Sequence, residues 1–139
     1  EKIAAGTRRI EHRIEIPGRN IPVKKAARSA VWFEFAELCG GAHAQEDYLE
    51  IAHRFPTVFL SHIPCMGNEL AAAARRFTWL VDVLYDNNVR LVASAAAVPD
   101  QLCGGAMASG EFARTASRLN EMQTMYYLQL PHRSQNVAL

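Results

Sequence analysis

Short β-strand patterns occupy the first part of the chain, where charged residues alternate with three isoleucines, Ile10, Ile14 and Ile16. A two-residue period is typical of a strand that buries one face. After a turn signal at Pro17-Gly18, residues 21–23 and 31–35 are rich in β-branched and aromatic side chains, which favours two further strands. Residues 1–38 are therefore predicted to form a layer of β-hairpin and strand.

Residues 39–139 change to the spacing of amphipathic helices. Apolar side chains recur every three or four positions in residues 45–55, with acidic residues in the first turn and basic residues in the last, as the helix dipole favours. The most regular stripe covers residues 70–84 and stops at Asn87-Asn88. A final helix is predicted over residues 111–127, with four side chains directed inward: Phe112, Leu119, Met122 and Tyr126.

Two apolar runs flank the most regular predicted helix. Residues 57–60 lack alternation, as expected of a strand that is buried on both faces, and residues 89–93 are predicted to form another strand. A strand, a helix and a second strand in this order predict a βαβ unit, whose two strands are parallel. The predicted fold class is therefore α/β, with an N-terminal β-hairpin layer, a βαβ unit with parallel strands and a C-terminal helix. We expect residues 39–139 to hold the α/β unit within one compact domain.

The composition of the chain and its first residues limit the classes of protein to which it can belong. Of the 139 residues, 50% are hydrophobic, which is enough for one domain with a buried core. No apolar run is long enough to span a bilayer, so no transmembrane segment is predicted. The chain opens on Glu1 without a signal-like segment, and we therefore expect it to be a piece of a larger protein.

Basic residues concentrate in residues 1–28, which contain eight Lys or Arg against three Glu. Their net charge is +5, and because the whole chain carries +1, the remainder carries −4. Such a patch could bind nucleic acid or an acidic partner, but a solvated hairpin with basic residues guarding its edges gives the same pattern. We favour the solvated hairpin over nucleic-acid binding and keep a stand-alone binding module as the alternative.

Three cysteines, Cys39, Cys65 and Cys103, lie far apart and form no CxxC pair. This weighs against a disulfide framework and favours a reducing compartment such as the cytoplasm or the mitochondrial matrix. Cys39 with His43, and Cys65 with His62, contain ligand types that zinc prefers, but their spacing is not that of a zinc site. A Cys65 nucleophile with His62 as its base lacks an orienting acid nearby. The favoured interpretation is that Cys39 and Cys65 are small buried hydrophobes, with no metal site and no catalytic residue.

The carboxyl ends of parallel strands are where open α/β sheets bind ligands. A P-loop ATPase holds phosphates and magnesium with a GxxxxGK[ST] motif and with an acid that closes a neighbouring strand. The chain contains no such motif, and the strand at residues 57–60 runs into Ser61-His62 without a carboxylate. We expect this chain alone to be unable to hydrolyse ATP.

Four arginines on predicted helices are candidates for contact with a nucleotide or a subunit interface: Arg75, Arg76, Arg114 and Arg118. Arginine suits this role because its planar guanidinium is always charged. A solvated ion-pair face, with Glu111 or Glu121 within reach of the last two arginines, explains the pattern equally well. Both interpretations remain open.

Three separate blocks of sequence occur in this order along the chain: VWFEFAELC (residues 31–39), AARRFTWLVDVLYDNNVRLVASA (residues 73–95) and FARTASRLNEMQTMYYL (residues 112–128). In order and spacing they resemble the C-terminal region of the ZapE-like AAA+ ATPases, a family that comprises a bacterial cell-division ATPase and its mitochondrial relatives. The resemblance covers almost the whole chain. It departs from the family at His62, where relatives often carry an acid.

The resemblance implies a parent protein that is a P-loop ATPase binding ATP and Mg²⁺, and a partial P-loop NTPase-like architecture for this chain. The partners that it implies are the N-terminal P-loop half of the same protein, further copies in a homo-oligomer, and the tubulin-like division protein FtsZ. Our hypothesis is that the chain is the non-catalytic C-terminal portion of such an ATPase. It would serve cell division or mitochondrial quality control through packing, subunit or partner contacts.

Overall fold

A computed structural model describes residues 13–16, 19–41, 43–103 and 111–133, with side chains from Ile21 onward. Of the predicted N-terminal hairpin, residues 8–12 and the turn at Pro17-Gly18 lie outside the described residues. Within the described ranges, no helix combines the length and the apolar character that crossing a bilayer requires.

The described residues form six strands and five helices. The strands are β1 (Arg13–Ile16), β2 (Arg19–Pro22), β3 (Lys25–Ala26), β4 (Ala30–Glu34), β5 (Thr57–Ile63) and β6 (Arg90–Ala95). The helices are α1 (Phe35–Leu38), α2 (Gln45–Arg54), α3 (Ala71–Asp86), α4 (Glu111–Glu121) and α5 (Met125–Leu128). Short 3-10 turns lie at Asn68–Leu70 and Pro99–Gln101.

Four of the described strands form one sheet in the order β3-β4-β5-β6. β4, β5 and β6 run parallel, with Val31, Val58 and Leu91 in register across them, whereas β3 is antiparallel to β4. The predicted βαβ unit is confirmed as β5-α3-β6, and the α/β fold class is confirmed with it. β4, which the sequence analysis assigned to the N-terminal layer, lies in this same sheet because α1 and α2 form the crossover that returns the chain to β5. β1 and β2 pair with each other in an antiparallel ladder.

One face of the sheet is packed under helices. Alternate side chains of β4 and β5, among them Phe33 and Leu60, are buried. α2 contacts α3 and α3 contacts α4, and right-handed crossovers place α2 and α3 on the same face of the sheet. On the opposite face Trp32 and Phe59 stay partly exposed, with their ring centroids 6.5 Å apart. The core of the described residues therefore lies between the sheet and one layer of helices.

The helices predicted over residues 45–55 and 70–84 are confirmed as α2 and α3. The stripe of α3 is buried at five positions: Ala73, Phe77, Leu80, Val81 and Leu84. The chain leaves α3 at Asn88, whose φ of 57° lies in the left-handed region that asparagine adopts more readily than most residues. The Val89 amide then donates to the Leu84 carbonyl oxygen, and the chain turns into β6.

The prediction of a single last helix over residues 111–127 is wrong. α4 ends at Glu121, and α5 begins after Thr124, which has an extended conformation and accepts a hydrogen bond from the Tyr127 amide through its side chain. An N-cap of this kind starts a new helix, so the inward face changes. Tyr126, predicted inward, is 69% exposed, whereas Tyr127 is buried.

Candidate functional site

The three parallel strands bring polar side chains together at their carboxyl ends. Glu34 ends β4, and it lies opposite Ser61 of β5 in the register. His62 follows Ser61, and its backbone amide donates to the Ser94 Oγ of β6 over 2.8 Å. Ligands of open parallel sheets gather at this edge, so we treat this polar cluster as the candidate functional site.

Glu34 is the centre of the cluster. Its Oε1 accepts hydrogen bonds from the Ser61 hydroxyl over 3.1 Å and from the Lys24 ammonium over 3.3 Å, and its Oε2 contacts the His62 Nδ1. Trp32 supports the arrangement because its Nε1 donates to the Ser61 Oγ over 2.9 Å. Sequence reasoning missed Glu34 because it assigned β4 to the N-terminal layer and weighed only the ends of the two strands in the βαβ unit. The available signal was the acid that closes the run of apolar residues in β4.

His62 has an unusual backbone. Its φ of 63° lies in the left-handed region, and the pairing of β5 with β6 shifts register between Leu60 and Ile63. Such a conformation costs a non-glycine residue about 1–3 kcal/mol, so surrounding contacts have to maintain it. The bonds to Ser94 and Glu34 do so, and they leave the side chain of His62 74% exposed at the sheet edge.

The environment of Glu34 lowers its pKa. Burial acts in the opposite direction and raises the pKa, but hydrogen bonds from His62, Lys24 and Ser61 together outweigh burial and favour the carboxylate. The depressed pKa means that the folded state releases the Glu34 proton more readily than the unfolded chain.

Stability is therefore expected to depend on pH through Glu34. The contribution of its carboxylate is present above the ordinary pKa of 4.5 and is lost as the pH falls through the lowered pKa of the folded state. Glu34→Gln should reduce the urea midpoint at neutral pH and flatten its fall below pH 4.5. Urea titrations of both proteins across this range measure the difference, and parallel acid curves would contradict it.

The four candidate arginines do not share one partner. The Arg76 Nε donates to the Cys39 carbonyl oxygen over 2.8 Å, which ties α3 to the end of α1. Arg114 and Arg118 of α4 both contact Asp82 of α3: the Arg114 Nη2 lies 3.7 Å from Oδ2, and the Arg118 Nη1 bonds to Oδ1. These three arginines thus hold elements of the fold together.

Arg75 differs from the other candidate arginines. It is exposed on α3, and no hydrogen bond or ion pair joins it to another residue in the described part of the chain. Of the four guanidinium groups, that of Arg75 is therefore the one that is available to contact a group outside the described residues.

The three cysteines differ in their exposure. Cys39 and Cys103 are buried, and burial raises the pKa of the Cys39 thiol to about 12. Cys65, expected to be buried, is exposed because it lies beyond Pro64 in the segment that leaves β5, and its Sγ lies 3.9 Å from the Gln101 carbonyl oxygen. No group of three or more His, Cys, Asp or Glu side chains in the described ranges could hold a metal ion.

Comparison with known proteins gives the family. A family model described as AFG1-like ATPase matches residues 1–131. The cell division protein ZapE of Escherichia coli (strain K12) is 35% identical over 130 residues, which are 94% of this chain and 35% of ZapE. The lactation elevated protein 1 homolog B of Danio rerio is 35% identical over 109 residues, 78% of this chain and 22% of that protein. No solved structure matches the chain.

The coverage is unequal between the chain and its relatives. Almost all of the chain is matched, but it spans about a third of the length of ZapE and less of the Danio rerio protein. The blocks that suggested ZapE-like ATPases in the sequence lie within the matched range. These matches confirm the resemblance and show that the chain belongs to the AFG1-like ATPase family.

Proposed function

We propose that this chain is a non-catalytic, C-terminal portion of a ZapE-like ATPase, and that it supplies packing and subunit contacts to the portion that binds ATP. Family membership supports the ATPase part of this proposal, and the resemblance read from the sequence supports the C-terminal placement. ATP and Mg²⁺ would then be held by the P-loop portion of the same protein.

The observation that carries the proposal is that both carboxylate oxygens of Glu34 already have partners within the chain. Magnesium in ATPases is held by a carboxylate or hydroxyl of the protein together with phosphate oxygens. Glu34 is the carboxylate at the carboxyl edge of β4, and both of its oxygens already contact donors from Lys24, Ser61 and His62. The chain also lacks the GxxxxGK[ST] motif. Both observations support a chain whose described residues do not hold magnesium and a triphosphate by themselves.

Partners and compartment follow from the same proposal. The relative ZapE is named a cell division protein. We extend this to a role in cell division or mitochondrial quality control, in the bacterial cytoplasm or the mitochondrial matrix. A homo-oligomer and a tubulin-like division protein are the proposed partners, and the candidate arginines are the proposed contacts. Arg75 is the strongest of them because it is exposed and unpaired among the described residues.

Two substitutions in the full-length protein test the proposal. Glu34→Gln is expected to change ATP turnover by less than about threefold, because removing a group that stabilises the transition state directly costs about 10²-fold or more. Arg75→Ala is expected to lower turnover if its guanidinium reaches the nucleotide, by about 10³-fold for an arginine finger, and to alter assembly if it reaches a subunit. Turnover assays and light scattering measure the two effects.

Each outcome decides a separate point. A loss of about 10²-fold or more in Glu34→Gln, in a protein that circular dichroism shows to be fully folded at the assay temperature, would place a catalytic group in this chain and overturn the non-catalytic role. Unchanged turnover and assembly in Arg75→Ala would remove Arg75 as a contact. Arg114→Ala is the comparison, and because Arg114 already contacts Asp82 within the chain, its effect on turnover and assembly is expected to be smaller.

A further inference from the structure

β6 is the outermost strand of the described sheet on the side away from β3. The Arg90 amide donates to the Pro56 carbonyl oxygen, and the Ala96 amide donates to the Ile63 carbonyl oxygen. The even-numbered residues of β6 therefore point their N–H and C=O groups toward β5. Because these directions alternate along a strand, Leu91, Ala93 and Ala95 direct their N–H and C=O groups away from β5. Three residues thus form an edge that no described strand pairs.

The β6 edge lacks the features that usually prevent strand addition. Natural edge strands are protected by lysine, proline, a bulge or very short length. β6 begins with the exposed Arg90, whose side chain donates to the Leu128 carbonyl oxygen over 3.2 Å. Residues 91–95 contain no charge and no proline, and the irregularity in the pairing lies on β5, between Leu60 and Ile63. An edge of this kind is a template for another strand.

A helix, α4, lies over one face of the space beside β6 and leaves the strand edge itself unpaired among the described residues. Along the helix layer α2 neighbours α3, and α3 neighbours α4. α4 and β6 enclose a groove of about 360 Å³ between them, and most of the side chains that line it are apolar. Its lining includes small side chains from β6 and larger ones from α4 and the preceding turn: Leu91, Ala93, Ala95, Leu102, Leu119 and Met122. A strand beside β6 would place every second side chain in this groove.

The face of β6 opposite the groove determines which side chains an added strand would need on its other side. Val92 is 44% exposed and lies in register with Phe59 and Trp32, so the three form a row across the sheet. A parallel sheet normally has both faces covered. A strand beside β6 would extend this row with apolar side chains, while its backbone pairs with Leu91, Ala93 and Ala95.

We infer that β6 accepts a further β-strand, and that this strand comes from the ATP-binding portion of the same protein. The inference rests on the proposed function. The chain spans 35% of ZapE, so most of the family's length lies outside the matched part and is available to supply the strand.

Hydrogen exchange in the full-length protein tests the pairing. The amides of Leu91, Ala93 and Ala95 are expected to exchange within about tenfold of the rates of Val92 and Ser94, whose amides face β5. A free edge would instead leave the three odd-numbered amides exchanging at rates close to those of an exposed loop, and this result would overturn the inference. The readout does not depend on ATP turnover, so it is separate from the test of the proposed function.

Proline substitution gives a matched second test. Proline removes one backbone donor and is tolerated in a strand only where that donor is unpaired. Val92→Pro breaks the bond to β5 in any case, whereas Ala93→Pro removes an outward donor. If a strand pairs with β6, both variants of the full-length protein should lose a similar part of their urea midpoint. Full tolerance of Ala93→Pro would contradict the pairing.

Cross-linking identifies the source of the strand. A photoreactive residue in place of Val92 in the full-length protein is expected to cross-link to the ATP-binding portion of the same polypeptide, which mass spectrometry of the digested monomer detects. A cross-link to the same strand of a second copy, or to another segment within this chain, would overturn the assignment.

Discussion

Tyr127→Ala is expected to lower the free energy of unfolding by about 3–5 kcal/mol, as buried aromatic truncations do. Tyr127 is 2% exposed, and its ring stacks on that of Tyr85 with centroids 5.8 Å apart. Its hydroxyl lies 2.7 Å from the Val89 carbonyl oxygen and 3.1 Å from that of Leu84, where the chain passes from α3 into β6. Burial raises the pKa of this hydroxyl, so it stays protonated and able to donate. Urea unfolding measures the loss.

The neighbouring tyrosine supplies the control for Tyr127. Tyr126 is 69% exposed, and Tyr126→Ala should change the free energy of unfolding by less than about 0.5 kcal/mol. Tyr127→Phe separates the two contributions of the side chain, because it keeps the ring and removes a hydrogen bond worth about 1 kcal/mol. Equal losses for the two alanine variants would contradict the break between α4 and α5.

Phe77→Ala is expected to lower the free energy of unfolding by a similar amount, about 3–5 kcal/mol. The ring of Phe77 lies between those of Phe35 and Phe112, with centroid distances of 5.8 Å and 6.4 Å. It is fully buried, so its removal leaves a cavity where α1, α3 and α4 meet. Dispersion contacts with both neighbouring rings are lost with it.

Leu49 provides the comparison for Phe77. It is also a large hydrophobic residue on a helix, but it is 41% exposed on α2. Leu49→Ala should therefore change the free energy of unfolding by less than about 0.5 kcal/mol. Thermal and urea unfolding of the two variants, measured in parallel, check the contrast, and a loss below about 1 kcal/mol in Phe77→Ala would show that the three rings do not form one core.

The parts of the fold that the sequence predicted well depend on local periodicity. The stripe of α3 and the apolar runs on either side of it required no distant information, because strand, helix and strand lie within 40 residues of one another and the crossover rule fixes the parallel pairing. Family resemblance was likewise readable, since its blocks occur in order along the chain.

Features that depend on distant contacts were missed. β4 joins the sheet through a partner more than 20 residues later, and its alternation alone does not distinguish a hairpin strand from a member of a parallel sheet. Glu34 meets His62 only once β4 and β5 are paired. The break at Thr124 is local, but a continuous helical spacing on both sides concealed it. The roles of the four arginines stay predictions.

β3 and β6 give the described sheet two unlike ends. β3 contains two residues, follows Lys24, and begins with the exposed Lys25, so this side combines the short length and the lysine that discourage strand pairing. Growth through backbone pairing is thereby directed to the β6 side alone. A sheet that can be extended on one side only cannot be joined to further copies through both of its ends. If the proposed pairing holds, it would therefore give a closed complex and not a fibre.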